Sequence, residues 1–147
     1  MLTRKKFLAG SASAALAYSA LSQISAEGNQ KMIHLPPLPK NIENAIKNAS
    51  DCVAKGDICK AHCVELMGKG STDMYECMKS TSEMVALCQT FMVLAAQQSP
   101  LTKKLAAICI TACENCKKEC KKHAAHHQVC KDCADSCDEC IKSMKNV

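Results

Sequence analysis

Thirteen cysteines stand in this chain of 147 residues, and their spacing constrains the fold more than any other feature. They form four runs: Cys52, Cys59 and Cys63; Cys77 and Cys88; Cys109, Cys113, Cys116 and Cys120; Cys130, Cys133, Cys137 and Cys140. At about 100° per residue on a helix the runs span about 40°, 20°, 60° and 80°. Chance placement would not put every cysteine on one face of its own helix four times. Helices that each carry one thiol face bury those faces against one another.

The punctuation between the runs supports four helices and almost no strand. The first segment reads as Asn41–Met67, stopped by Gly68 and Gly70. Ser71 or Thr72 is expected to cap a second, reaching about Gln98. Ser99 followed by Pro100 marks a restart, with proline at the first helical position. The third segment ends near His123, Ala124 to His126 make the link, and a fourth covers about His127–Lys145. Links this short join antiparallel neighbours. The expected fold is all-α, an up-down-up-down four-helix bundle over residues 41–147 with a cysteine-lined core.

Residues 1–26 read as an export signal. Arg4, Lys5 and Lys6 form a basic start, Phe7 to Leu21 is apolar but too short and weak to stay in a membrane, and Ile24-Ser25-Ala26 offers a cleavage site. The run Thr3 to Leu8 resembles a twin-arginine signal with Lys5 in place of the second arginine. An exported, periplasmic location follows as an expectation. Residues 27–40, with Pro36, Pro37 and Pro39, read as an extended arm. Loss of the signal removes Arg4, Lys5, Lys6 and no acidic residue, so a net charge of +5 becomes +2. That balance argues against a nucleic-acid partner. The lysine pairs 117–118 and 121–122 read as a solvated face interleaved with Glu114 and Glu119. Phosphate-binding glycine loops, G-x-S-x-G and H-E-x-x-H are absent from the sequence, and no catalytic role is expected.

Three explanations compete for a core of thiols. Cysteine packs as a small hydrophobe, but thirteen of them would leave voids costing several kcal/mol each in a bundle with only 3% aromatic residues. Disulfides suit a secreted, cysteine-rich chain. However, i,i+3 and i,i+4 β-carbons lie about 5–6 Å apart on a helix, too far for a disulfide's ~3.5–4.5 Å. Bridges between helices remain, and would use only a few cysteines. The third explanation is metal. Soft thiolates select Cu(I), zinc or iron–sulfur clusters. Zinc favours closed tetrahedral sites built from knuckles on turns, and ferredoxin-type clusters use loop-borne runs ending in Cys-Pro. Multiple Cu(I) ions, each satisfied by two or three sulfurs, fit a continuous helical thiol column best. An iron–sulfur electron-transfer protein and a zinc-buffering or disulfide-stapled helical protein stay as alternatives.

Axial position separates two ends. Cys120, Cys130 and Cys77 fall within about one turn of the loops at 68–71 and 124–126, whereas Cys52 and Cys88 lie about 24–26 Å deeper. Beyond them the inward positions are expected to be Ile42, Ala45, Ile46, Ala49, Phe91, Met92, Ala95, Leu101, Leu105, Ile108 and Ile141, a hydrophobic plug. The opposite end gathers His62, Met67, Met74, His123, His126 and His127. Thioether and imidazole are exchangeable copper ligands suited to a mouth. Met67 and Met74 also suit ordinary gap-filling. His62, flanked by Cys59 and Cys63, is the better ligand candidate, and His123, His126 and His127 read as solvated loop residues.

From about Asn41 to Val147 the chain resembles the bacterial copper storage proteins, cysteine-lined four-helix bundles that bind many Cu(I) ions. The resemblance rests on Cys59-Lys60-Ala61-His62-Cys63, Met74-Tyr75-Glu76-Cys77, Cys109–Cys120 and Cys130–Cys140. It implies storage of several Cu(I) ions by the thirteen cysteines, His62 and Met74 at the bundle mouth, and a homotetramer. Exported members are similar in carrying a twin-arginine-type signal.

Overall fold

The structure is a computed structural model that describes residues 36–147. The export signal and most of the arm read from the sequence lie outside the described residues. Pro36 to Pro39 precede the first helix without regular structure, and the Pro39 carbonyl accepts the Ile42 and Glu43 N–H groups that open it. Four helices follow: α1 (Lys40–Gly68), α2 (Tyr75–Ala96), α3 (Thr102–Lys121) and α4 (Gln128–Met144), with a 3₁₀ turn at Thr72–Met74 before α2. Helix α1 packs against α2 and α4, and α3 packs against the same two, while across the diagonals only core side chains meet. That cyclic neighbour pattern, with short links, is an antiparallel four-helix bundle.

The links follow from local chemistry. Gly70 adopts φ of +100°, and the N–H groups of Gly70 and Ser71 bond back to Met67 and Leu66. This left-handed glycine ends α1 and satisfies its last carbonyls. Gln98 takes the same role after α2 at φ of 52°, with the Ser99 N–H bonded to the Leu94 carbonyl. The Ser99 hydroxyl then accepts the Leu101 N–H at 3.2 Å, but the helix opens at Thr102, two residues past the Pro100 start expected from the sequence. The expected side-chain cap at Ser71 or Thr72 does not form. Instead the 3₁₀ turn rolls Met74 inward, where it is buried, and α2 starts three residues later than Thr72.

The inward stripe of α2 is Cys77, Thr81, Met84, Cys88, Phe91 and Ala95, all fully buried. It continues past the cysteines into a closed end formed with Ala45, Ala49, Ala106, Ile141 and Met144, with Ile42, Ile46, Met92 and Leu105 packed against it. Two residues expected there are not inside: Leu101 and Ile108 are 53% and 52% exposed. Each precedes by one residue, hence by about 100°, the small side chains Thr102 and Cys109 that take the inward positions. Small residues also let α1 and α2 approach. A β-carbon on buried Gly56 would come within 2.6 Å of Val85 Cγ2 and 2.8 Å of Met84 Cε, so any larger residue at this crossing would force those side chains to shift.

Outside, Lys117 of α3 bridges Asp138 of α4 at 2.7 Å. This contact holds the Asp138 carboxyl below its ordinary range and pushes the Lys117 ammonium up. Lys118, Lys121 and Lys122 are exposed, as the charge pattern predicts. No described helix is long and apolar enough to cross a membrane.

Candidate metal centre

All thirteen cysteines are free thiols, and every one is fully buried. A buried cysteine is common; thirteen in one bundle interior form a continuous body of sulfur. At the loop end Cys59 Sγ lies 3.9 Å from each of Cys77, Cys120 and Cys130, and Cys77 is 3.5 Å from Cys120. Midway, Cys116 sits 3.9 Å from Cys120 and 3.7 Å from Cys133. Deeper, Cys52 is 3.6 Å from Cys137 and Cys88 is 3.9 Å from Cys113. Sulfurs on all four helices are therefore within van der Waals reach along the bundle.

Four groups have their ligand atoms mutually within 4.8 Å: Cys52, Cys88, Cys113 and Cys140; Cys59, Cys63 and Cys77; Cys59, Cys120 and Cys133; Cys116, Cys133 and Cys137. Cys59 and Cys133 each belong to two groups, so three of the groups share donors, and the 3.6 Å approach of Cys52 to Cys137 sets the fourth beside them. With a metal–thiolate bond near 2.3 Å, two-coordinate linear binding needs sulfurs about 4.6 Å apart and trigonal binding about 4 Å. The observed spacings of 3.5–3.9 Å lie one small rotamer change from either. Groups made of cysteine sulfurs, with no carboxylate among them, select a soft ion.

Thr81 stands among these thiols. Its hydroxyl donates to the Cys77 carbonyl at 2.7 Å and lies 3.4 Å from Cys116 Sγ, which keeps a buried polar group satisfied. Two buried methionines, overlooked in the sequence, also face the column. The Cys52 thiol donates to Met84 Sδ at 3.3 Å, and the Cys140 thiol to Met144 Sδ at 3.9 Å. Their positions could have been read from the sequence: Met84 is seven residues after Cys77, and Met144 is four after Cys140, both at helical same-face spacing.

At the other end His62 Nε2 and His127 Nδ1 are 3.0 Å apart, both half-buried. The His123 ring lies 6.5 Å from that of His127, and its Nδ1 is 3.9 Å from an Asp73 carboxylate oxygen. The expectation that the loop histidines are all solvated is thus corrected for His123 and His127, which fold back onto α1 and the 3₁₀ turn. His126 is exposed, Met67 half-buried and Met74 buried.

The thiols share their protons. Hydrogen bonds from Cys113 and then Cys137 hold Cys52 far below its ordinary value of 9.0, and Cys120 and Cys130 do the same for Cys77. The donors are pushed the other way. Cys137 is raised by Cys113 and Cys116 together with burial, and Cys120 by Cys116 and Cys133. Several unpaired anions cannot share a dry core, so the metal-free column keeps most of its protons, the one Cys52 donates to Met84 among them. A thiol with a folded pKa above 9.0 keeps its proton where the unfolded chain has lost it. Its contribution to stability is complete below about pH 9 and drains away as pH rises further. The metal-free, reduced bundle is expected to lose stability steeply above that pH, measured by urea unfolding at pH 7, 9 and 10.5. Equal stability at all three would mean the thiols are not held as protonated groups.

Residues 39–147 match the family described as Csp, the copper storage proteins. The chain belongs to the copper storage protein family. Among solved structures it is similar to the Cu(I)-bound copper storage protein BsCsp3, at 26% identity and a TM-score of 0.65, covering 72% of this chain and 96% of that one. It is also 27% identical over 105 residues to the uncharacterized cysteine-rich protein YhjQ of Bacillus subtilis (strain 168), spanning 71% of this chain and 94% of that protein. In this copper storage family member the buried thiols are positioned to bind metal.

Proposed function

We propose that this protein stores Cu(I), taking several ions per chain into the thiol column and releasing them without catalysing a reaction. One observation carries the reading: thirteen fully buried free thiols drawn from all four helices, eleven of them in four close groups. A structural zinc site needs four donors, and a disulfide framework would place its sulfurs in bonded pairs. Each thiol that binds Cu(I) gives up its proton, so uptake releases protons and tightens as pH rises. The test is metal analysis of protein from copper-supplied cells. Copper at several ions per chain is expected; iron with inorganic sulfide would establish the electron-transfer alternative instead.

Zinc keeps a second reading alive at one place. Cys52, Cys88, Cys113 and Cys140 are four mutually close sulfurs, and spacings near 3.8 Å fit a tetrahedral Cys₄ site. A zinc buffer of this kind saturates at one to a few ions per chain.

In the storage reading, His62, His127, Met67 and Met74 form the mouth, where imidazole and thioether donors pass copper inward. A variant combining His62→Ala, His127→Ala and Met74→Leu is expected to slow loading by about tenfold at unchanged capacity, followed by stopped-flow mixing with a Cu(I)–chelator complex. Loss of capacity without loss of rate would place these residues elsewhere in the scheme. Export directed by residues 1–26 would put the store in the periplasm, and family likeness makes a homotetramer the working assembly. The exposed stripe of Leu101 and Ile108 at the start of α3 offers apolar surface for such contacts.

A further inference from the structure

We propose that Met84 and Met144 are copper ligands, and that the closed end of the column is a mixed thiolate–thioether Cu(I) cluster. This rests on the storage reading and extends it to two residues outside the cysteine pattern. Four sulfurs, from Cys52, Cys88, Cys113 and Cys140, lie mutually within 4.8 Å there. Met84 Sδ touches the first of these at 3.3 Å, and Met144 Sδ reaches the last at 3.9 Å. Both methionines are at most 2% exposed. The closed end therefore holds six convergent sulfurs from α1, α2, α3 and α4.

A methionine that merely fills space can present its methyl group as readily as its sulfur. At Met84 the backbone decides the matter. The Met84 methyl lies 2.8 Å from where a β-carbon on Gly56 would be. The glycine thus provides the space that takes the methyl, and the sulfur is left against Cys52. At Met144, one helical turn after Cys140 on the same face of α4, the thioether reaches back along the helix to that thiol.

The chemistry explains why thioethers suit this end. Every thiolate placed in the core carries a negative charge that costs free energy away from water. Four thiolates balance four Cu(I) ions, and further cysteines would add charge without need. Thioethers are soft neutral donors; they complete the coordination of Cu(I) and leave the charge balanced. They also weigh against zinc as the ion held there, because a Zn²⁺ ion gains more from an anionic ligand than from a neutral thioether.

Selenomethionine-labelled, reduced protein loaded anaerobically with Cu(I) provides the test, read by selenium-edge X-ray absorption. A copper shell at about 2.4 Å from selenium is expected, by analogy with the metal–thiolate distance. Its amplitude should fall in the Met84→Leu/Met144→Leu double variant and stay unchanged in Met92→Leu. Leucine keeps nearly the same volume, so the bundle should fold, and each single variant is read in the same way if the double does not. The double variant should also release its most tightly held copper to a chelator about tenfold more readily. No copper shell in the wild type, or a shell of the same size in the double variant, overturns the proposal while leaving storage intact. Failure to take up Cu(I) at all overturns the storage reading and this site with it.

Discussion

Loading with Cu(I) is expected to raise the unfolding temperature of the reduced protein by about 30 °C or more. Each ion held by thiolates from two or three helices ties those helices together, and the unfolded chain offers no preformed set of donors. A ligand that favours the native state stabilises it by its differential affinity, and one structural zinc contributes about 10–16 kcal/mol in small zinc-dependent peptides. Each kcal/mol moves the midpoint of a domain of this size by about 4–8 °C. Residual copper binding to unfolded thiols reduces the gain without cancelling it. Anaerobic scanning calorimetry of the metal-free and loaded forms measures the shift. A change of only a few degrees would mean that copper sits outside the bundle interior.

Phe91→Ala should do the opposite to the metal-free protein and little to the loaded one. Phe91 is the largest of the fully buried side chains, in a chain with two phenylalanines and no tryptophan. Deleting a buried phenyl ring costs about 3–5 kcal/mol, a large share of the 5–15 kcal/mol that typical domains possess. Ala45, Ala49, Ala95 and Ala106, buried in the same core, are small side chains that fill little of such a space. The metal-free variant is expected to melt about 15–30 °C lower, while Cu(I) restores a folded bundle by holding the four cysteine-bearing faces together. Circular dichroism with and without copper follows both states. A loss below 1 kcal/mol would show that the apolar end does not hold the empty bundle together.

The cysteine spacing alone carried the bundle and its sulfur-lined interior, because period-3.6 placement of a buried residue type survives any detail of packing. The side chains that share those faces without being cysteine were harder to see. Thr81 and Met84 lie on the line from Cys77 to Cys88, and Met144 lies below Cys140, yet none stands out until the helices are assembled. Leu101 and Ile108 were expected inside because they are large and apolar. The inward places went to Thr102, Ala106 and Cys109, since helical phase rather than size decides which residue faces in. His127 needed tertiary information, because it meets His62 only once α4 lies beside α1. Gly56 marks a close helix crossing that only the assembled helices show.

Anaerobic titration of the fully reduced protein with Cu(I) against a competing chelator shows whether the thiols act together as one copper store. Saturation near one copper per cysteine is expected, with the chelator outcompeted until the column is full. Saturation at one or two ions per chain would contradict it.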